Sequence, residues 1–180
     1  MLRFVLSFCI MYYGTIGFIG LSSEGGYYVS WLDQYFNYVA WMRAALLHSA
    51  KEILHWMHFP VELKDAFTIR FAGGAGVHVG YDCIGYGVVY FWIAFIYANQ
   101  VALSKRLKWL FGGVALIFTV NVIRIALMVI SVNYHWKSPG DLDNHTLFNI
   151  VAYTVIFSMI YAFDRSEKKI GKQQQVPPSV

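Results

Sequence analysis

Charged residues are scarce in this chain of 180 residues. Asp, Glu, Lys and Arg make up 13% of it, whereas a soluble domain has about a quarter charged residues. The hydrophobic share is 58% and the mean hydropathy is +0.49. The shortage of charge excludes an ordinary soluble domain. The composition instead predicts an all-α integral membrane protein, a bundle of several membrane-spanning helices.

Cysteine is scarce as well. The chain has two cysteines, Cys9 and Cys83, which are too few for a disulfide framework. Cys9 lies inside an apolar run and is interpreted as a small buried hydrophobic residue. Cys83 follows Asp82 at the beginning of a long apolar run, and this position makes it a candidate for chemistry.

Four apolar runs approach or reach the length of a membrane span: residues 4–21, 85–103, 109–132 and 147–163. Arg3 precedes the first run, but no clear small-x-small cleavage site follows it. The run is therefore interpreted as a membrane helix rather than a signal peptide. Residues 28–57 form a long helical pattern that ends before Pro60, with too many charges for an ordinary span. It predicts an amphipathic helix, lying at the interface or folded onto the others, and gives about four to five membrane helices in total.

Residues 61–80 have a different pattern, with apolar and polar residues alternating on either side of a glycine cluster, Gly73–Gly76. This pattern predicts a small outward-facing hairpin that leads into Cys83 as a surface flap. The glycine cluster is interpreted as a turn, because it lacks the lysine and the helix of a phosphate-binding loop.

The basic residues cluster at the ends of segments and predict the orientation of the chain. Lys105, Arg106 and Lys108 stand together without an acidic residue, and the tail, residues 164–180, is also basic. By the positive-inside rule, both segments and the N-terminus are cytoplasmic, so Cys83 faces outward. The tail is predicted to be disordered. The net charge of +4 therefore does not indicate a nucleic-acid partner.

Helical rise places three residues at one depth. At about 1.5 Å per residue, Cys83 lies roughly 33 Å from Lys105, and His145 lies roughly 30 Å from Arg165. Both distances match a hydrocarbon core about 30 Å thick, so both residues are expected at its outer boundary. Arg124 lies about 24 Å from Lys108, and its long side chain can extend toward the same boundary.

The side chains at this depth are of the types that nucleophilic catalysis requires. Cys83 is expected in the first turn of a helix, capped by Asp82, where the helix dipole favours a thiolate. Asn121 and Arg124 lie on neighbouring turns of one helix face, and an ionisable residue inside a membrane span indicates function. His145, which follows Asp143, is the obvious proton carrier of the set.

No metal site is predicted, because the four metal-binding side chains near the last span show no recognised ligand spacing: His135, Asp141, Asp143 and His145. The other histidines are interpreted as polar residues of the membrane interface.

A cysteine that opens one span, an Asn-x-x-Arg sequence late in the next and a histidine that opens the last resemble the exosortase/archaeosortase family. The resemblance covers residues 81–163. It implies that Cys83 is the nucleophile of a membrane cysteine transpeptidase or protease, Arg124 its electrostatic partner and His145 a general acid and base. Supporting roles are expected for Asn121, Asp82 and Asp143.

The resemblance also implies the partners. These are membrane lipid and exported proteins that carry a C-terminal sorting signal with a transmembrane helix, and no cofactor is expected. The chain would be a multi-pass protein of the cytoplasmic (inner) membrane, with residues 1–163 as one membrane-embedded domain and 81–163 as its catalytic core. It departs from the family at Asp82-Cys83-Ile84-Gly85, where members often have Ala-Cys-Ser-Gly, and in its compact size.

Two alternatives remain at this point. The first is a non-catalytic membrane module, a haem-binding or assembly subunit that uses His48, His55 and neighbouring residues. The second is a family member that has lost its activity and accompanies a substrate. The intact Cys83, Arg124 and His145 argue against the second alternative.

Overall fold

The computed structural model describes residues 1–23, 27–99, 101–136 and 144–173, without the side chains of 144, 145, 147, 148 and 167–173. These residues form α-helices and one small antiparallel sheet, in the following order: α1 Leu2–Ser22, α2 Ser30–Phe36, α3 Tyr38–Trp56, β1 Val61–Leu63, β2 Thr68–Phe71, β3 Gly76–His78, a 3₁₀ turn Tyr81–Cys83, α4 Tyr86–Ala98, α5 Leu103–Asn133 and α6 Asn144–Gln173.

Within the described ranges, α1 and α5 are long and apolar enough to cross a membrane. Several apolar side chains of α1 point away from the protein, as expected of a helix that faces lipid: Leu2, Val5, Leu6 and Ile10. The total of four to five spans stays a prediction.

The predicted span at residues 85–103 is wrong as a single helix. α4 ends at Ala98 and α5 begins at Leu103. The 13 residues of α4 rise only about 20 Å, which is less than the hydrocarbon core of about 30 Å. The chain from Cys83 to Lys105 is therefore not one continuous helix, and the helical rise does not give the distance between them. At the other end of the chain, α6 continues to Gln173, so this part of the expected disordered tail is helical.

The helical pattern at residues 28–57 forms two helices rather than one. The chain breaks at Asn37, whose side chain accepts a hydrogen bond of 2.8 Å from the backbone N–H of Ala40 and caps α3. One face of α3 is buried and packs mainly against α5: Val39, Arg43, Leu46, Leu47, Ala50 and Leu54. The helix is thus folded onto the others.

The segment expected to be a hairpin forms three antiparallel strands in the order β1-β2-β3. A turn at Gly73, with φ of +73°, joins β2 to β3. Ile69 and Val77 face the protein and join the core shared with α3 and α5. Asn133, at the end of α5, accepts a hydrogen bond of 3.0 Å from the N–H of Ala75 and donates one of 3.1 Å to its carbonyl. The sheet is therefore a packed part of the fold and not a separate flap.

A second core joins α4, α5 and α6. Trp92 is 0% exposed at its centre, and its indole N–H donates a hydrogen bond of 3.0 Å to the carbonyl of Trp109. Gly113 lies directly against this indole, and a Cβ at that position would overlap the ring. The small residue permits the close approach of α4 and α5, which brings the beginning of α4 beside the middle of α5.

Candidate functional site

Cys83 lies in a tight turn between the sheet and α4. Its N–H donates to the carbonyl of Gly80 at 3.0 Å, and the N–H of Ile84 donates to Tyr81 at 3.2 Å. Gly85 follows with φ of +80°, a conformation that suits glycine, and α4 begins at Tyr86. This corrects the sequence prediction, because Asp82 does not cap α4 and Cys83 is not in its first turn. The left-handed Gly85 separates the 3₁₀ turn from the helix.

The side chain of Asn121 holds this turn from α5. Its amide nitrogen donates to the carbonyl of Cys83 at 3.1 Å and to that of Ile84 at 2.8 Å. A Cβ on Gly85 would lie 3.0 Å from the same nitrogen, so the glycine leaves room for the amide. Asn121, expected only in a supporting role, directly links α5 to the backbone of the cysteine.

Arg124 lies one turn further along α5 and is 9% exposed. Its Nη1 donates to the side-chain oxygen of Asn121 at the long distance of 3.5 Å. One amide group therefore contacts the backbone of Cys83 with its nitrogen and the buried guanidinium with its oxygen. The structure brings Cys83, Asn121 and Arg124 together, and their chemical roles stay predictions.

Two cavities meet beside the turn. The smaller, about 280 Å³, lies between α4, α5 and α6, and its lining includes Asp82, Asn121, Arg124 and Asn149. The larger, about 480 Å³, lies between α1, α4 and α6. Its lining is mostly aromatic and aliphatic: Phe8, Tyr12, Tyr86, Val88, Phe91, Tyr153, Ile156, Phe157 and Ile160. The cavities are neighbours, because Asp82, Gly85, Val88, Tyr153 and Ile156 line both.

The predicted His145 is placed only by its backbone. α6 begins at Asn144, so position 145 lies one helical turn before Asn149, on the same side of the helix. Asn149 lines the smaller cavity with Arg124. The side chain of His145 and the whole of Asp143 lie outside the described residues, so their roles stay predictions.

Sequence reasoning overlooked several residues near the turn. Asn149 and Tyr153 follow His145 at intervals of four, a spacing that predicts one helix face and that was available in the sequence. Arg43 belongs to the charged residues of the pattern at 28–57, for which an amphipathic helix is predicted. It is instead 5% exposed and lies beside Tyr81, in the turn that carries Cys83. No short motif predicts that placement.

The remaining candidates lie elsewhere. Cys9 is half-buried on α1. His48 and His55 are exposed on α3 and line neither cavity. Among the described residues, no group of three or more His, Cys, Asp or Glu side chains could hold a metal ion. Asp141 and Asp143 are outside those residues.

Comparison with known proteins gives one match. Residues 25–162 match the model of a family described as transmembrane exosortase. The match covers more than half of the chain and includes the turn of Cys83, the Asn121–Arg124 pair and the first part of α6. No curated protein and no solved structure matches the chain.

Proposed function

Because the chain belongs to the transmembrane exosortase family, we propose that it is a membrane cysteine transpeptidase or protease that cleaves the C-terminal sorting signal of exported proteins. One observation carries the assignment of the site. Asn121 contacts both the backbone of Cys83 and the buried guanidinium of Arg124, next to a cavity between α4, α5 and α6.

The proposed reaction has two steps. The thiolate of Cys83 attacks the scissile carbonyl carbon, and the tetrahedral intermediate collapses to a thioester on Cys83 as the amine leaves with a proton from His145. In the second step, an amine, hydroxyl or water gives a proton to His145 and attacks the thioester, which releases the thiolate. A transferred acyl group makes the enzyme a transpeptidase, and attack by water makes it a protease.

Arg124 supplies positive charge to this reaction. Its guanidinium is charged at every physiological pH and lies in a largely buried position beside the nucleophile's turn. A fixed charge in such a site stabilises an oxyanion, and groups of this kind typically contribute a factor of about 10² to 10³ in rate. The contact with Asn121 holds one end of the guanidinium.

We further propose that the larger cavity receives the apolar segment of the sorting signal. It is lined mainly by apolar and aromatic groups and joins the cavity of Arg124 at Asp82 and Gly85. An apolar helix that inserts side chains into it would place the preceding peptide beside the turn that carries Cys83. The sheet packs into the core, and none of its residues lines either cavity.

The proposed setting is the cytoplasmic (inner) membrane, crossed about four to five times, with the site outward and both the N-terminus and the tail inside. Two observations support this orientation. The first is the basic group Lys105, Arg106 and Lys108 near the beginning of α5. The second is the position of Asn121 and Arg124, which lie well along α5 from that group.

The test is cleavage of an exported protein that bears a C-terminal sorting signal, coexpressed with variants of the chain. Cys83→Ala and Cys83→Ser should abolish cleavage, since neither supplies a thiolate. Cys9→Ser is the matched control, because it removes the second thiol of the chain, which lies on α1, and should leave cleavage unchanged. Cleavage at the wild-type rate by both Cys83 variants would show that the nucleophile assignment is wrong.

A further inference from the structure

Arg43 is a buried cation beside the turn that carries Cys83. It projects from α3, is 5% exposed, and its Nε donates to the carbonyl of Ala66 at 3.1 Å. Its guanidinium carbon lies 3.6 Å from the ring centre of Phe67 and 5.5 Å from that of Tyr81. A guanidinium stays charged in proteins, so burial carries a cost unless other groups compensate for it.

No carboxylate offsets this charge among the residues that the structure describes. The carboxylate of Glu62 is paired with Arg70, at 2.6 Å. Within the same residues, Nη1 of Arg43 is buried and has no hydrogen-bond partner. The cation is therefore held chiefly by one carbonyl and two aromatic faces, an interaction that strengthens when water is excluded.

The two aromatic residues belong to the segments that fix the turn. Phe67 is held at both ends of its backbone. Its N–H donates to the carboxylate of Asp65 at 2.7 Å, which holds the pKa of Asp65 below its usual value. Its carbonyl accepts from the N–H of Val79 at 2.7 Å, just before the turn begins.

Tyr81 is the first residue of the turn itself. Its hydroxyl lies 2.9 Å from the hydroxyl of Ser23, at the end of α1, and its carbonyl accepts from the N–H of Ile84. Its ring faces Arg43. The turn is thus anchored to α1 through the hydroxyl of Tyr81, to α3 through its ring, and to α5 through Asn121.

We propose that Arg43 is a positioning residue of the enzyme, which fixes the backbone of the turn Tyr81–Cys83 by holding Tyr81 and Phe67 against α3. Arg43 acts through these two rings and does not touch the reacting atoms. The catalytic consequence rests on the proposed function, since it requires Cys83 to be the nucleophile. The structural consequence, a turn that is rigid because of Arg43, can be measured independently.

Hydrogen exchange of the full chain in detergent or nanodiscs tests the proposal. In Arg43→Leu, the amides of residues 80–85 should exchange at least about tenfold faster, since the turn opens locally, while the α5 segment around Val129 keeps its protection. Arg43→Lys, which retains a cation near both rings, should stay within about threefold of the wild type. Unchanged exchange in the turn, or an equal rise throughout α5, would overturn the proposal.

Variants of Tyr81 provide a second route if Arg43→Leu fails to fold. Tyr81→Leu removes the ring that Arg43 faces and should loosen residues 80–85 in the same way. Tyr81→Phe keeps the ring, loses only the contact with Ser23, and should have the smaller effect. Equal effects of the two substitutions would contradict a role for the Arg43 contact.

Cleavage kinetics connect the turn to the reaction. Arg43→Leu should lower kcat for a sorting-signal substrate by at least about tenfold with KM unchanged, because misplacing a nucleophile affects the chemical step. A normal kcat with a loosened turn would show that Arg43 does not position Cys83 for catalysis. Cleavage that persists in Cys83→Ala would instead disprove the proposed function and leave the exchange result standing.

Discussion

The side-chain N–H of Asn121, in the middle of α5, donates a hydrogen bond of 3.1 Å to the carbonyl oxygen of Cys83. The same nitrogen reaches the carbonyl of Ile84 at 2.8 Å, and the amide oxygen accepts from Arg124 at 3.5 Å. One neutral side chain therefore sets the separation between the backbone of the proposed nucleophile and a buried cation.

Asn121→Ala removes the donor from two carbonyls that lie in or beside the turn. The free energy of unfolding should fall by about 1–3 kcal/mol, and cleavage should fall with it, since the turn and Arg124 lose their common partner. Asn99→Ala is the matched control, because its amide donates to the carbonyl of Phe95 at 2.7 Å, near the other end of α4. For each variant, denaturation in detergent measures the free energy of unfolding, and a cleavage assay measures the activity. Equal losses of cleavage in the two variants would contradict a specific role for Asn121.

Arg124→Gln keeps a hydrogen-bond donor but removes the charge. Cleavage should fall by about two to three orders of magnitude, because the oxyanion loses its cation. Arg106→Gln is the comparison, since Arg106 donates to the carbonyl of Tyr97 near the junction of α4 and α5 and should be dispensable for cleavage. A rate for Arg124→Gln within tenfold of the wild type would show that the charge is not used.

Gly113→Ala should destabilise the helix bundle. The added methyl overlaps the indole of Trp92, which is fully buried and cannot move without displacing its neighbours. Overpacking of this kind costs about 1–3 kcal/mol. Gly112→Ala, where an added Cβ meets no atom within 4 Å, should be neutral or slightly stabilising. Thermal denaturation of the two variants side by side measures the difference in their stability. A melting temperature unchanged by Gly113→Ala would refute the close packing.

A membrane-impermeant maleimide should label Cys83 in intact cells, since the site is proposed to face outward. The experiment uses a Cys9→Ser background, so that Cys83 is the sole thiol of the chain. Labelling that occurs only after permeabilisation would place Cys83 on the cytoplasmic side and would reverse the proposed orientation.

The sequence predicted those parts of the fold in which composition dominates. The apolar runs at 4–21, 109–132 and 147–163 all lie within helices, because a helix that satisfies its own backbone is the stable form of such a run in an apolar environment. Asn121 links the backbone of Cys83 to Arg124, whereas the sequence placed Cys83 and Arg124 at one depth by measuring along a helix that is interrupted before Leu103.

The misplaced details depend on single residues. Asn37 ends one helix and caps the next within a pattern that is helical throughout. Gly85 adopts a left-handed conformation that stops the turn of Cys83 before α4 begins. Arg43 is of a residue type expected on a solvent-exposed helix face. The rings of Phe67 and Tyr81 around its guanidinium offset the cost of its burial. Periodicity does not predict these outcomes, because the cap of Asn37 is a local break in a helical pattern, and Gly85 and Arg43 depend on partners distant in sequence.

The central claim is that Cys83 forms a thioester with the sorting signal. The most direct measurement is mass spectrometry of Cys83 in the wild-type protein, quenched with acid during turnover of a sorting-signal substrate, so that the thioester is captured before it is resolved. We expect an acyl adduct on Cys83 that neutral hydroxylamine removes. The Cys83→Ser variant should form no thioester. Substrate cleavage without any adduct on Cys83, or with an adduct on another residue, would contradict it.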